Sequence, residues 1–382
     1  MRYYKYGDAS GRLIGSAGDI TLYEKTYNYN KIEYNEDKEK KEFSFNFSYG
    51  PSAGGLIEPF RFDINTSGET INYINAYNYK IRDIKITGRS IEDAIPYIER
   101  INGNFAASYI ICFLSSVEDA LDIEIPYEIK MYRIIEMELE RIRNHLYVLA
   151  RMCEPAGFNV PANMLMHIKE EFSRIIDKNF GHRYFFGVNQ LKSIKLDIYK
   201  KIEGYRNDIN DIYINLLNSR LFTDRLQENG KIKDDYMTGP AARAAGYKYD
   251  SRYDFDIFFY KDVNYDIKTD SAGDSMARFN VRFNEILNSM NIIESAEKNL
   301  GYSSYKIKDG SGTGLTRLES PSGDVAFYVK INNGRIDNIA FHSPSETNLR
   351  SFIKSSTGII FTDLHFNFES FGIWAADGVR FI

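Results

Sequence analysis

The chain has 382 residues, 43% of them hydrophobic, with a formal net charge of −5 and a pI of about 5.7. That is enough apolar material for one large domain or two smaller ones, and it offers no basic footprint for a phosphate backbone, so nucleic acid is not an expected partner. No run of about 18 or more apolar residues occurs, which argues against a direct membrane span, and the opening MRYYKYGDASGRL lacks an apolar stretch followed by a small-residue cleavage site, which predicts an unexported, intracellular chain.

Residues 1–48 alternate short β-favouring runs, ITLYEKTYNY and FSFNFSY, with a charged EDKEKKE turn, as a hairpin or edge element would. After GPSAGG comes FRFDINTSGETINYINAYNY, in which Thr66-Ser67-Gly68 separates two alternating runs and predicts a second hairpin. From Arg89 the period becomes helical. Ser90 and Asp93 form a weakened capping box for a helix that ends at the Asn102-Gly103 turn. A second helix is predicted from Ala106 to Leu121, stopped by DIEIP. The third starts at Tyr127 and carries one apolar stripe through Tyr132, Ile135, Leu139, Ile142, Leu146 and Leu149. Its polar face is read to hold Glu138 with Arg141 and Glu140 with Arg143.

Further helices are predicted over 163–179, 187–218 and 275–300, giving a bundle of long helices. Between them, 237–254 reads as a Gly/Pro-containing loop with Arg243 in its middle, and the tail from about 301 reverts to strands and turns around Asn-Asn-Gly. The fold class is therefore α+β, mainly α, with β-rich N- and C-terminal parts.

The chemical inventory is sparse. The two thiols, Cys112 and Cys153, lie in apolar helical surroundings and are expected to be buried and inert. Five scattered His, with no H-x-x-H, H-E-x-x-H or C-x-x-C, give no self-contained metal centre, and no phosphate loop or nucleophile elbow is present. His145, beside the apolar stripe of the third helix, is expected as a hydrogen-bonded core or interface residue. Glu58, in GGLIEPF, reads either as an exposed loop glutamate or as a partly buried proton carrier.

The order of blocks is more specific than any one of them. GPSAGGLIEPFRF, SGETI, IERINGNF, ELERIRNHL, TGPAARAAG with YDSRYD, GDSMARFNVRFNEILNSMNII, LESPSGDVAFYV and HSPSETNL resemble, in that order, the large subunits of nickel-iron hydrogenases. The resemblance is closest to the membrane-bound energy-converting hydrogenases and to the quinone-site, 49-kDa-type subunit of respiratory complex I. It covers residues 46–382, leaving 1–45 as an N-terminal β-rich extension, and it implies a hydrogenase large-subunit-like long-helix bundle.

In the hydrogenase family the IERINGNF block reads E-R-I-C-G-I-C and a second C-x-x-C lies near the C-terminus. Those four thiolates hold nickel, and two of them bridge to iron. Here the ligand positions fall on Asn102 and Phe105, and, in ESFGIWAADGVRF, on Trp374 and Asp377. A chain with two Cys cannot supply four thiolates, so the resemblance implies a divergent member without a metal of its own and without hydrogenase activity of its own. Ser322 stands where hydrogenases carry an active-site Arg. Ala53 and Gly103 stand where complex I relatives carry the His and Tyr that bind the quinone headgroup.

Other positions match. Arg100 and His145 fall where complex I relatives face the terminal iron-sulfur cluster of the neighbouring small subunit, and there they would tune its potential. Glu58 matches the proton-carrying Glu of the I-E-P block. Arg243, Asp274, Arg278 and Arg282 also match, and are expected to form ion pairs that hold the bundle together.

Two functions follow from the resemblance. In one, the chain belongs to a membrane-associated hydrogenase-like or complex I-like electron-transfer complex, docked on an iron-sulfur small subunit and on membrane subunits, peripheral on the inner face of the cell membrane, with a remodelled cavity in which quinone is possible. In the other it is a non-catalytic scaffold whose old pocket is filled by Phe105 and Trp374. An unrelated small-molecule binder of the same fold is a third reading. An open polar cavity near Glu58 and Arg100 would favour the first, and a packed plug the second.

Overall fold

The computed structural model describes residues 43–188, 190–234, 236–255 and 257–382, and the backbone of 12–17 and 20–24. The latter are two strands, β1 (Arg12–Ala17) and β2 (Ile20–Glu24), paired antiparallel. The EDKEKKE turn lies outside the described residues.

The expected hairpin is present. β3 (Phe45–Tyr49), β4 (Phe60–Ser67) and β5 (Thr70–Asn78) form an antiparallel sheet in that order, and β4 turns into β5 with Ser67 opposite Thr70 and Gly68 at φ +62°. The short strand β6 (Arg82–Ile84) follows.

α1 (Ile91–Ile98) starts at the predicted cap, where the Ser90 hydroxyl accepts from the Asp93 amide at 3.1 Å. α2 (Ala106–Ala120) and α3 (Tyr127–Cys153) occupy the predicted spans. α3 is buried on all sides from Met131 to Leu146, because α2, α4 (Asn159–Phe180) and a later helix, residues 275–298, pack around it. Glu138, Glu140, Arg141 and Arg143 thus sit in the core, not on a polar outer face.

The segment 187–218 is not one helix. It contains the two-residue strand β7 (Lys192–Ser193), α5 (Tyr199–Glu203) and α6 (Arg206–Leu217), broken where Glu297 accepts from the Ile198 and Tyr199 amides. α7 (Arg220–Leu226) follows. The expected loop at 237–254 instead holds two short helices, α8 (Gly239–Ala244) and α9 (Ser251–Asp254). Gly239, at φ +67°, permits α8 to start against the chain at Ser322, where a Cβ would lie 2.3 Å from the Ser322 carbonyl oxygen.

α10 (Ser275–Lys298) is capped by Asp274, whose carboxylate accepts from the Ala277 amide at 2.8 Å. After β8 (Ser303–Ser304), three antiparallel strands, β9 (Gly312–Ser320), β10 (Gly323–Asn332) and β11 (Arg335–His342), cover α2. Their second turn is the predicted Asn-Gly one, with Asn333 at φ +49° and Gly334 at φ +71°. The tail also contains α11 (Pro344–Ser355) and α12 (Leu364–Phe371), which the alternating pattern concealed.

The last strand, β12 (Val379–Phe381), pairs parallel with β6, Val379 opposite Arg82 and Phe381 opposite Ile84. This pairing carries the C-terminal block onto the bend after α1. The Arg82 guanidinium clamps both sides, donating to the Ile101 carbonyl and, at 3.0 Å, to the Ala376 carbonyl. Among the described residues no helix is long and apolar enough to cross a membrane.

Candidate functional site

The bend after α1 and the turn after α12 bring together, in two pairs, the four positions that the resemblance aligns with thiolates. The Asn102 amide donates to Asp377 at 2.9 Å, and the rings of Phe105 and Trp374 meet edge to face at 5.7 Å between centroids. All four are buried, Phe105 completely. Ser345 adds a second donor to Asp377 at 2.5 Å, and its oxygen accepts from the Trp374 amide at 3.1 Å. Tyr147 of α3 stacks on the other face of Trp374 at 5.7 Å.

This arrangement does not fit a nickel-iron centre. An amide bonded to a carboxylate and two aromatic rings in contact supply no thiolate, and their mutual contacts occupy the space. Among the described residues no three His, Cys, Asp or Glu are disposed to hold a metal ion. Cys112 and Cys153 are both buried, as expected, and burial holds the Cys153 thiol up at about 12. The Ser322 hydroxyl donates to the Gly372 carbonyl at 2.7 Å. Ala53 lies half-exposed in the loop before β4, and the Gly103 carbonyl accepts from Arg143 at 3.1 Å.

Beside the plug is a cleft lined by Ile57, Glu58, Tyr147, Arg151, Glu369 and Trp374, with a cavity of about 10 Å³, room for about one water molecule. Glu58 is partly buried here. Its carboxylate accepts from the Ala375 amide at 2.6 Å. Burial raises its pKa to about 7; the Ala375 bond opposes this, and the nearby carboxylates Asp377 and Glu369 reinforce it. Burial likewise pushes Asp377 up to about 6 against its hydrogen bonds from Ser345 and Asn102. Arg151, from the last turn of α3, spans the cleft, donating to Glu369 and to the Gly55 carbonyl, both at 3.1 Å, and pairing with Glu154. On the far side of the loop the Tyr49 hydroxyl meets His365 Nε2 at 2.7 Å.

Arg100 is not in this cleft. Its side chain is 53% exposed, pairs with Glu99 and lies over Phe186 at 4.9 Å. An open cavity shared by Glu58 and Arg100 is therefore absent among the described residues.

His145 is a hydrogen-bonded core residue, as its place beside the apolar stripe of α3 predicts, and does not present itself to a partner as the resemblance implies. It has no exposed area. Its Nε2 lies 2.8 Å from Glu285, and its Nδ1 lies 3.2 Å from Arg282. Burial, together with Arg282 and Arg141, lowers its pKa to about 3 in spite of the hydrogen bond to Glu285, so the neutral ring donates from Nε2 and accepts at Nδ1. Arg100 and His145 do not share a face. A direct approach of His145 to a partner's cluster is excluded by its burial, which leaves Arg100 as the accessible one of the pair.

His145 is the end of a buried charge network. Arg243 binds Glu285 at 2.7 Å, Glu319 at 2.7 Å and Asp250 at 3.0 Å. Arg252 binds Asp250 at 2.7 Å and Glu138 at 3.1 Å, and Arg141 meets Glu138 at 3.2 Å. With Arg282, drawn to Glu285, four guanidinium groups stand against four carboxylates in this network, of which burial lifts Glu319 to about 7. Burial would raise the pKa of Glu138, but Arg141 and Arg252 hold it below its usual range. This is the ion-pair network expected for Arg243. Asp274 differs, serving as a helix cap, and Arg278 is held by the Gly230 and Gly273 carbonyls, Asn367 and Ser370 over the ring of Phe371. Among the described residues no carboxylate pairs directly with Arg278, and burial lowers its pKa to about 9, with Asp274 nearby opposing the shift.

Residues 187–313 match the family described as the respiratory-chain NADH dehydrogenase 49 kDa subunit. The chain is 26% identical over 362 residues to the alpha subunit of the membrane-bound hydrogenase of Pyrococcus furiosus, covering 85% of each chain. It is 26% identical over 341 residues to a subunit of the NADH-quinone oxidoreductase of Solibacter usitatus, covering 82% of this chain and 90% of that one. It is 26% identical over 314 residues to a subunit of the F(420)H(2) dehydrogenase of Methanosarcina mazei, covering 73% and 82%. In fold it is similar to a chain of the membrane-bound sulfane sulfur reductase, an archaeal respiratory membrane complex, with a TM-score of 0.81 and 18% identity, over 91% of this chain and 100% of that one.

Proposed function

We propose that this chain, a divergent member of the family that includes the 49 kDa complex I subunit and the membrane-bound hydrogenase alpha subunit, is the large subunit of a membrane-associated, complex I-like electron-transfer complex. It carries no nickel-iron centre. The observation behind this reading is the likeness over most of the chain, 26% identity with the alpha subunit of a membrane-bound hydrogenase and a TM-score of 0.81 with a chain of a respiratory membrane complex; the mutual contacts of Asn102, Phe105, Trp374 and Asp377 account for the missing metal. The family's architecture is kept around a metal site that has been filled.

Electrons would then run through an iron-sulfur cluster held by a small partner subunit. The exposed Arg100, backed by Glu99 and Phe186, is the cation available to that partner's surface. The chain would sit peripherally on the inner face of the membrane, through its partners. A quinone headgroup does not fit the cleft beside Glu58 as it stands, with room for about one water molecule, so no quinone step is assigned to this chain. A scaffold role is the second reading, favoured by the Phe105–Trp374 contact.

Affinity purification from native membranes separates these readings. The electron-transfer role predicts co-purification with a cluster-bearing small subunit and membrane subunits, an iron-sulfur electron paramagnetic resonance signal, no stoichiometric nickel, and a shifted cluster signal in Arg100→Ala. The same partners with an unshifted cluster in Arg100→Ala would leave the scaffold. Stoichiometric nickel, or a stable monomer as the only species, would sink the proposal.

A further inference from the structure

Helix α3 carries a polar face that the charge network does not use. Glu136, Glu140 and Asn144 recur every fourth residue, so they lie on one side of the helix, about 6 Å apart along its axis. All three are buried, with at most 1% exposure. The next residue on this face, Val148, lines the cleft beside Glu58.

Glu140 is fully engaged, accepting from the Ala107 amide at 2.8 Å, the Ser108 amide at 3.0 Å and the Ser108 hydroxyl at 2.5 Å at the start of α2. The groups on either side of it are not. Both amide atoms of Asn144 lack a protein partner among the described residues, and the carboxyl oxygens of Glu136 have none in close hydrogen-bond geometry. The Tyr109 hydroxyl is held loosely by a hydrogen bond to Asp377, and Gln190 holds Glu136 in the same loose way. The Asn144 amide and the loosely held Glu136 carboxyl, if dry, would carry a desolvation penalty that no strong hydrogen bond offsets. Water removes that cost, because a buried molecule makes about three hydrogen bonds to such groups.

We propose that the α3 face formed by Glu136, Glu140 and Asn144 is a hydrated seam inside the bundle, a water-binding site with an exchangeable proton resident on Glu136. The cation closest in sequence, Arg133, is already committed, with two bonds to Glu118 at 2.9 and 2.7 Å and one to the Tyr305 hydroxyl at 2.7 Å. The remaining titratable neighbours are Tyr132 and Glu140, neither of which stabilises a negative charge there. Burial raises the Glu136 pKa to about 8, with Arg133 and the Gln190 hydrogen bond opposing it and Glu140 reinforcing it. The inference concerns this chain's own core, whichever partner it docks on.

The test uses the full chain at pH 7, with water and deuterium oxide as probes. A water-resolving structure is expected to show ordered solvent bonded to Asn144 and Glu136. Infrared difference spectra are expected to show a protonated-carboxyl band that shifts in deuterium oxide and is lost in Glu136→Gln. Asn144→Leu, which fills the seam with an apolar group of similar size, is expected to slow that shift about tenfold or more. A seam without solvent density overturns the proposal, and so does a spectrum that Glu136→Gln leaves unchanged. The wild-type density alone decides if either variant unfolds.

Discussion

Glu58→Gln tests the reading of the cleft most directly. The glutamine keeps an oxygen to accept from the Ala375 amide, which Glu58 holds at 2.6 Å, and it removes the titrating proton. Burial, opposed by that bond, takes Glu58 from 4.5 to about 7. A shift of that size, at about 1.4 kcal/mol per unit, corresponds to a penalty of about 3 kcal/mol on the ionised form. The sign follows from linkage. Between its unfolded and folded pKa values the native protein holds a proton that the unfolded chain releases, so the benefit of the neutral acid is complete below about pH 4.5 and lost as pH rises through about 7. Asp377 and Glu369 repel Glu58 and would ionise more easily in its absence, which reduces the net effect to about 1–3 kcal/mol. Urea unfolding at pH 5 and pH 8 is the assay. Glu58→Gln is expected to match the wild type at pH 5 and exceed it at pH 8. Equal stabilities at both pH values would refute the buried-acid assignment.

Three further outcomes are expected. Trp374→Ala removes a ring that touches Phe105 and Tyr147 and should cost about 3–5 kcal/mol in denaturant unfolding, since the rigid surroundings leave a cavity. Arg243→Met leaves Glu285, Glu319 and Asp250 without their shared cation, a loss of about 3–5 kcal/mol. That loss should be smaller at pH 6 than at pH 8, because burial lifts Glu319 to about 7 and a proton can replace the missing charge. His145, held at about 3 by burial, should show no titration of its ring resonances between about pH 5 and 8, and any midpoint near 6.5 would contradict its enclosure.

Elements specified locally were legible in the sequence. The Ser90 cap, the Gly68 turn and the Asn333-Gly334 turn each depend on a few adjacent residues, and each stands where predicted. The Glu138/Arg141 pair shows the limit. Its i,i+3 spacing is the same on a surface as in a core, and what distinguishes the two is Arg252, Tyr260 and Ser289, which converge on Glu138 from remote segments. α8 was hidden for a similar reason: its glycine and proline read as a loop, while its burial against α10 makes it helical. That Asn102 and Phe105 would meet Trp374 and Asp377 was suggested only by the collinear order of blocks. Arg151 and Glu369, which build the cleft with Glu58, carried no local signal, because His365 and Glu369 share a side of a helix that aromatic alternation had masked.

The β6–β12 pairing also bears on how the molecule is made. Arg82 and Val379 are nearly 300 residues apart in sequence, yet their pairing sets the C-terminal block against the bend at Ile101. A contact of such long range is slow to form and comes late. On the ribosome the helices can assemble as they emerge, but the Asn102–Asp377 and Phe105–Trp374 pairs must wait until synthesis has passed Phe381. Until then the interior between α1 and α2 stays open, and a nascent chain stalled before that point would display Phe105 and Tyr147 to any chaperone that surveys unfinished cores.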